Sequence, residues 1–141
     1  MLIQKIKEAK WMDDFKGAGD KILVAEDEEG MQELVVDVLE DAGYSVIVVN
    51  DGVEAVEVFK KRRAELCLVI LDKNMPKMNG YEAFKEMKKL GLGVPLLLSS
   101  GSGEDEKNFL DAGITGFIAK PYRVADLVEK VKLALENRKK I

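Results

Sequence analysis

A chain of 141 residues, 47% apolar and 34% charged, has enough for one domain with a sizeable core and a solvated surface. It contains no histidine and one cysteine, Cys67, which excludes Ser-His-Asp triads, most zinc sites and an internal disulfide, and fits a reducing cytoplasm. A net charge of −4 argues against a general nucleic-acid binder, and no apolar run reaches the roughly 18–20 residues that span a bilayer.

Residues 1–20 differ from the rest. Leu2, Ile6 and Ala9, with Trp11, Met12 and Phe15, suit one helical face, and Gly17-Ala18-Gly19-Asp20 makes a flexible junction. This segment reads as an extension or linker, partly helical, ahead of a domain at 21–141. Lys21–Glu26 is a buried-type strand that ends in acid. Met31, Leu34, Val35, Val38, Leu39 and Ala42 then recur at helical spacing, and Gly43 supplies a stop. Tyr44–Val49 is β-branched and apolar, hence a second strand. Asp51 with Glu54 has capping-box spacing and opens a helix through Val53, Val56 and Phe59.

The third strand starts at Leu66 and is apolar until it stops at Asp72; Pro76 and Gly80 follow. Such a run suits a strand buried on both faces. Asn79 and Glu82 again have cap spacing, for a helix with Ala83, Met87 and Leu90 inside. Val94–Ser99 is the fourth strand. Ser102 to Asp105 caps a short, polar helix containing Phe109, Leu110 and Ala112. This element has the thinnest apolar face and is expected to be the most mobile. Thr115–Ala119 is the fifth strand, closed by Lys120-Pro121. Val124, Leu127, Val128, Val131, Ala134 and Leu135 mark the last helix.

Five β-α repeats of this kind predict an α/β fold, a doubly wound five-stranded parallel sheet with helices on both faces. The expected strand order is 2-1-3-4-5, with ligands bound outside the C-terminal strand ends at the switch point. There stand Glu26-Asp27 after strand one, Asp72 after strand three, Ser99-Ser100 after strand four and Lys120 after strand five. Clustered carboxylates need compensation, and a hard cation such as Mg²⁺, or Mn²⁺ in its place, suits Glu26, Asp27 and Asp72 with the backbone carbonyl of Asn74. Asp72 can then act as a nucleophile toward phosphorus, giving an acyl phosphate. Lys120 and Ser100 are placed to serve phosphoryl oxygens. Taken singly, each feature has an ordinary reading: a solvated acidic turn, a turn aspartate, a loop serine, a surface lysine. Their coincidence at four strand ends carries the inference.

The stretches Lys-Ile-Leu-Val-Ala-Glu-Asp-Glu (21–28), Val-Ile-Leu-Asp-Lys-Asn-Met-Pro-Lys-Met-Asn-Gly (69–80), Leu-Leu-Leu-Ser-Ser-Gly (96–101) and Gly-Phe-Ile-Ala-Lys-Pro-Tyr (116–122) together resemble the receiver domain of two-component response regulators, the CheY-like, flavodoxin-like fold. The resemblance runs from residue 21 to about 138. It implies that Asp72 is phosphorylated by a histidine kinase or a histidine phosphotransfer protein. It implies Glu26, Asp27 and the Asn74 carbonyl around Mg²⁺, Lys120 as the family lysine, a cis Lys120-Pro121 bond, and Ser100 and Phe117 as switch residues. Asn74 and Ser102 fall where phosphate lifetime is tuned. Output would pass to a protein target through the fourth helix, fifth strand and fifth helix, with no direct nucleic-acid or membrane contact. Glu26 stands where aspartate is commoner, and Ser100 where threonine is frequent; neither change removes the needed group.

Rival readings are a receiver-like module that binds partners without phosphate, an Asp-nucleophile phosphohydrolase, and a flavin-binding module. The hydrolase would need a second Asp at position 74, where the chain has Asn, and no phosphate loop follows the first strand. The protein is therefore expected not to be an enzyme beyond its own phosphorylation and slow autodephosphorylation. With residues 137–141 alone after the last helix, it reads as a stand-alone regulator or the C-terminal receiver of a hybrid sensor kinase, the second being slightly favoured.

Overall fold

The computed structural model describes residues 19–103 and 105–139, so the helix expected before residue 19 lies outside the described residues. Strands β1 (Lys21–Ala25), β2 (Ser45–Val49), β3 (Leu66–Asp72), β4 (Leu96–Ser100) and β5 (Gly116–Ala119) alternate with helices α1 (Glu29–Asp41), α2 (Gly52–Arg62), α3 (Gly80–Lys89), α4 (Glu106–Ala112) and α5 (Val124–Lys139). The sheet is parallel throughout, in the order β2-β1-β3-β4-β5. This is the doubly wound, flavodoxin-like arrangement expected from the alternation.

Strand side chains alternate between two cores. Leu23, Ala25, Val69, Leu71, Leu96 and Leu98 face one way and meet Phe59 of α2, Phe84 of α3 and Phe109 of α4. Ile22, Val24, Leu68, Ile70, Leu97 and Ile118 face the other way and meet Val35 and Leu39 of α1 and Leu127 and Val131 of α5. All seven residues of β3 are buried, as a strand covered on both faces requires. Each such Leu, Ile or Phe stabilises the fold by roughly 1.5–3 kcal/mol through area removed from water. Cys67 belongs to the second core as a buried side chain.

Helix ends follow local chemistry. Gly43 (φ 99°) takes the left-handed position just after α1. Asn79 and Glu82 form a complete capping box at α3. At α2 the box is half made: Asp51 Oδ1 accepts from the Glu54 N–H, but Glu54 Oε1 turns to the N–H of Asn50 instead of Asp51.

Three expectations need correction. Val53, Leu90 and Val124 are exposed, and the buried α3 position next to Ala83 is Phe84. All three exposed residues lie at helix ends: Val53 and Val124 in the first turns of α2 and α5, and Leu90 at the C-cap of α3. Asp105 sits at the N-cap of α4 with φ 64° and its side chain caps nothing. Strands β4 and β5 start at Leu96 and Gly116, short of the expected Val94 and Thr115.

Candidate functional site

Register sets the site. Ala25 pairs with Leu71, Asp72 with Ser99, and Ser100 with Ala119, so Glu26, Asp72, Ser99 and Lys120 end neighbouring strands at one level. The ladder continues one step beyond: the N–H groups of Glu26, Lys73 and Lys120 donate to the carbonyls of Val49, Ser99 and Ser100 at 3.1, 2.8 and 3.0 Å. The backbone carrying each site residue is thereby held by its neighbour strand.

Asp72 is 3% exposed, and both of its oxygens are engaged. Oδ1 accepts from the Asn74 N–H at 3.1 Å, and Oδ2 accepts from Lys120 Nζ at 2.8 Å. Lys120 also reaches Glu26 Oε1 at 3.0 Å. Glu26 is fully buried, and its Oε2 accepts from the Glu28 N–H at 3.1 Å. Beneath this pair the Tyr122 hydroxyl lies 2.8 Å from Ser99 Oγ and 3.4 Å from Glu26 Oε1. The Lys120-Pro121 bond is cis.

Carboxylate oxygens of Glu26, Asp27 and Asp72 lie within 4.8 Å of one another, and Asp27 is exposed. Three carboxylates around one ammonium leave a deficit of positive charge, and an all-oxygen set suits a hard divalent cation. Such an ion would reach the buried pair from the exposed Asp27 side. Burial pulls the Lys120 ammonium down, but its bonds to Asp72 and Glu26 and their charges outweigh this and hold its pKa above the usual lysine value. Burial pushes the Tyr122 phenol up; the Ser99 hydrogen bond opposes this and the Glu26 charge adds to it.

The structure therefore brings together Glu26, Asp27, Asp72, Asn74 and Lys120. The Ser100 hydroxyl lies just outside, donating to the Ser102 carbonyl at 2.8 Å and accepting from the Ser102 N–H at 3.1 Å. Phe117 is half-buried next to Phe109, ring centroids 6.2 Å apart, and Phe109 packs on Tyr81 at 4.7 Å. A cavity of about 340 Å³ opens between Ser100, Ser102, Phe117, Glu106 and the α5 residues Asp126 and Lys130. Sequence reasoning did not find the Ser99–Tyr122 pair. Its only signal was Tyr122 directly after Lys120-Pro121, and its partner on β4 follows from register alone.

The model of the response regulator receiver domain family matches residues 22–132. The chain belongs to this family. The receiver is 33% identical over 119 residues to the transcriptional regulatory protein CpxR homolog of Haemophilus influenzae, covering 83% of this chain and 51% of that protein. It thus spans about half the length of the curated relatives it matches. It superposes with a TM-score of 0.74, at 29% identity, on the receiver domain of sensor histidine kinase PA1611 from Pseudomonas aeruginosa PAO1, covering 84% of this chain and 99% of that one. That domain carries a magnesium ion coordinated in its active site cleft. A receiver domain protein (CheY-like) from Methanospirillum hungatei JF-1 matches with a TM-score of 0.78 at 28% identity, covering 86% of this chain and 98% of that one. Receivers work with histidine kinases in two-component signalling. Among the described residues no helix is long and apolar enough to cross a membrane.

Proposed function

We propose that this receiver takes a phosphoryl group on Asp72 from a phosphohistidine of a kinase or phosphotransfer protein. The observation that carries it is the Asp72 carboxylate at a strand end, held by the Lys120 ammonium and the Asn74 N–H and flanked by two further acids. One Asp72 oxygen forms the new bond to phosphorus as the bond from phosphorus to the donor imidazole nitrogen breaks. The imidazole leaves with that electron pair. Glu26, Asp27, Asp72 and the Asn74 carbonyl would hold Mg²⁺, with Mn²⁺ able to replace it. The ion supplies neutralisation of the incoming phosphoryl charge. Lys120 needs only to shift from the carboxylate to a phosphoryl oxygen, a short move for a flexible ammonium.

The phosphoryl group then gives the Ser100 hydroxyl a stronger acceptor than the Ser102 carbonyl. Phe117 can turn in the space beside it, and α4, which buries only Phe109, can follow. This is a population shift of the α4-β5-α5 face, which we assign to a protein target. The chain's acidic balance favours that over direct nucleic-acid contact. We assign no turnover beyond formation and slow loss of the acyl phosphate, since the position two after Asp72 is Asn74. Asn74 and Ser102, both exposed, flank the approach to Asp72 and would set phosphate lifetime. The setting we assign is the cytoplasm, consistent with a chain that has a single, buried cysteine.

The test is incubation with a small acyl phosphate, with and without Mg²⁺. The wild type is expected to gain one phosphoryl group only with the ion, and Asp72→Asn to gain none. Labelling of Asp72→Asn to the wild-type level would overturn the assignment.

A further inference from the structure

Glu26 is wholly buried and shares its cation with Asp72. If Lys120 turns to a phosphoryl group, Glu26 Oε1 loses its charged partner. An ion held through the other oxygen would still leave Glu26 a cation, but a buried carboxylate oxygen left without a donor is costly unless another donor steps in. The donor within reach is the Tyr122 hydroxyl, 3.4 Å away and 8% exposed as a residue.

A phenol has one proton. The Tyr122 hydroxyl can give it to Ser99 Oγ at 2.8 Å or to Glu26, but not to both at once. Ser99 can accept or donate, so either direction leaves the hydroxyl pair satisfied. The change needs only two hydroxyl rotations in a region where no buried side-chain polar atom among the described residues lacks a partner. The 3.4 Å separation leaves room for the bond to shorten.

We propose that Tyr122 is a positioning residue for Lys120: its hydroxyl takes over Glu26 when Lys120 moves to the phosphoryl group on Asp72. Ser99 is the resting acceptor of the same proton. The inference rests on the phosphoacceptor reading of Asp72. Without the phenol hydroxyl, Glu26 keeps a stronger hold on Lys120, and the phosphorylated geometry is harder to reach. Without Ser99, the phenol proton is committed to Glu26.

The test is calorimetric binding of beryllofluoride, a phosphoryl mimic, in saturating Mg²⁺, alongside Mg²⁺ binding alone. Tyr122→Phe keeps the ring and is expected to weaken beryllofluoride binding by about three- to tenfold, the scale of one lost hydrogen bond. Its Mg²⁺ affinity is expected to stay within about twofold of wild type. Ser99→Ala is expected to bind the mimic at least as tightly as wild type, and the double variant to follow Tyr122→Phe. Wild-type binding by Tyr122→Phe would overturn the inference. So would equal weakening in Ser99→Ala, or a parallel loss of Mg²⁺ affinity in Tyr122→Phe, which would mark shared packing instead. A wild-type protein that binds Mg²⁺ but no beryllofluoride would overturn the phosphoacceptor reading itself.

Discussion

Lys120 Nζ stands 2.8 Å from Asp72 Oδ2 and 3.0 Å from Glu26 Oε1, so one ammonium bridges the ends of β1 and β3 from the end of β5. Its side chain is 16% exposed and the two acids are almost wholly buried. Lys120→Ala leaves the acids facing each other, and a loss of about 2–4 kcal/mol in unfolding free energy is expected. Removing the competing cation should at the same time tighten Mg²⁺ binding, roughly tenfold. Urea titrations with and without Mg²⁺ check both effects. Weaker Mg²⁺ binding in the variant would show that Lys120 helps build the metal site.

Gly80 opens α3 directly beneath the site. A Cβ placed there would lie 2.3 Å from the Asp72 carbonyl oxygen and 2.9 Å from Leu98 Cδ1. The backbone at Asp72 must give way, since a carbonyl has no rotamer to escape into. Gly80→Ala is expected to cost about 2–3 kcal/mol. It should also slow phosphoryl acceptance, because the displaced atom belongs to the acceptor residue. Thermal unfolding and labelling rate, measured on the same preparation, check the two effects together.

Lys77 lies in the β3–α3 loop with φ 68°, in the left-handed region where a side chain is unfavourable. Its contact with Asp51 is 3.6 Å long and its side chain is 70% exposed, so the ion pair offsets little. Lys77→Gly is expected to stabilise the fold by about 0.5–1 kcal/mol. The urea midpoint is the readout, and a fall in it would show that the Asp51 contact outweighs the strain.

Alkaline stability should report the buried network. Burial raises Tyr122 above the ordinary phenol value, and the Asp72 and Glu26 bonds raise Lys120 against its own desolvation. Both groups hold protons more tightly when folded, so the unfolded chain loses them first as pH rises. Their stabilisation is fully present below about pH 10 and is lost progressively above it, by about 1.4 kcal/mol per pH unit for each proton. Urea midpoints from pH 7 to 11 are expected to stay level with respect to these groups and then fall. Tyr122→Phe should make the fall shallower. An unchanged slope in that variant would contradict the account.

Strand order and the residues at strand ends could be read from the chain because β3 has no polar residue before Asp72, and parallel crossovers leave few alternatives. Glu26, Asp27, Asp72 and Lys120 then meet by topology alone. Side-chain partnerships that depend on reach across strands were not legible. Ser99 reads only as the end of the fourth strand; that it is fully buried against Tyr122, whereas its neighbour Ser100 is only half-buried, depends on a residue beyond strand five. Helical spacing located each apolar arc but not how far it stays covered toward the helix ends, so Val53 in the first turn of α2 and Leu90 at the C-cap of α3 lie outside.

The central claim is that Asp72 itself becomes an acyl phosphate. Borohydride reduction of phosphodonor-treated protein, followed by peptide sequencing, reads this at one residue. The account predicts homoserine at position 72, formed only after incubation with donor and Mg²⁺. Recovery of unmodified Asp72 from protein that carries the phosphoryl group, with the reduced residue elsewhere, would contradict it.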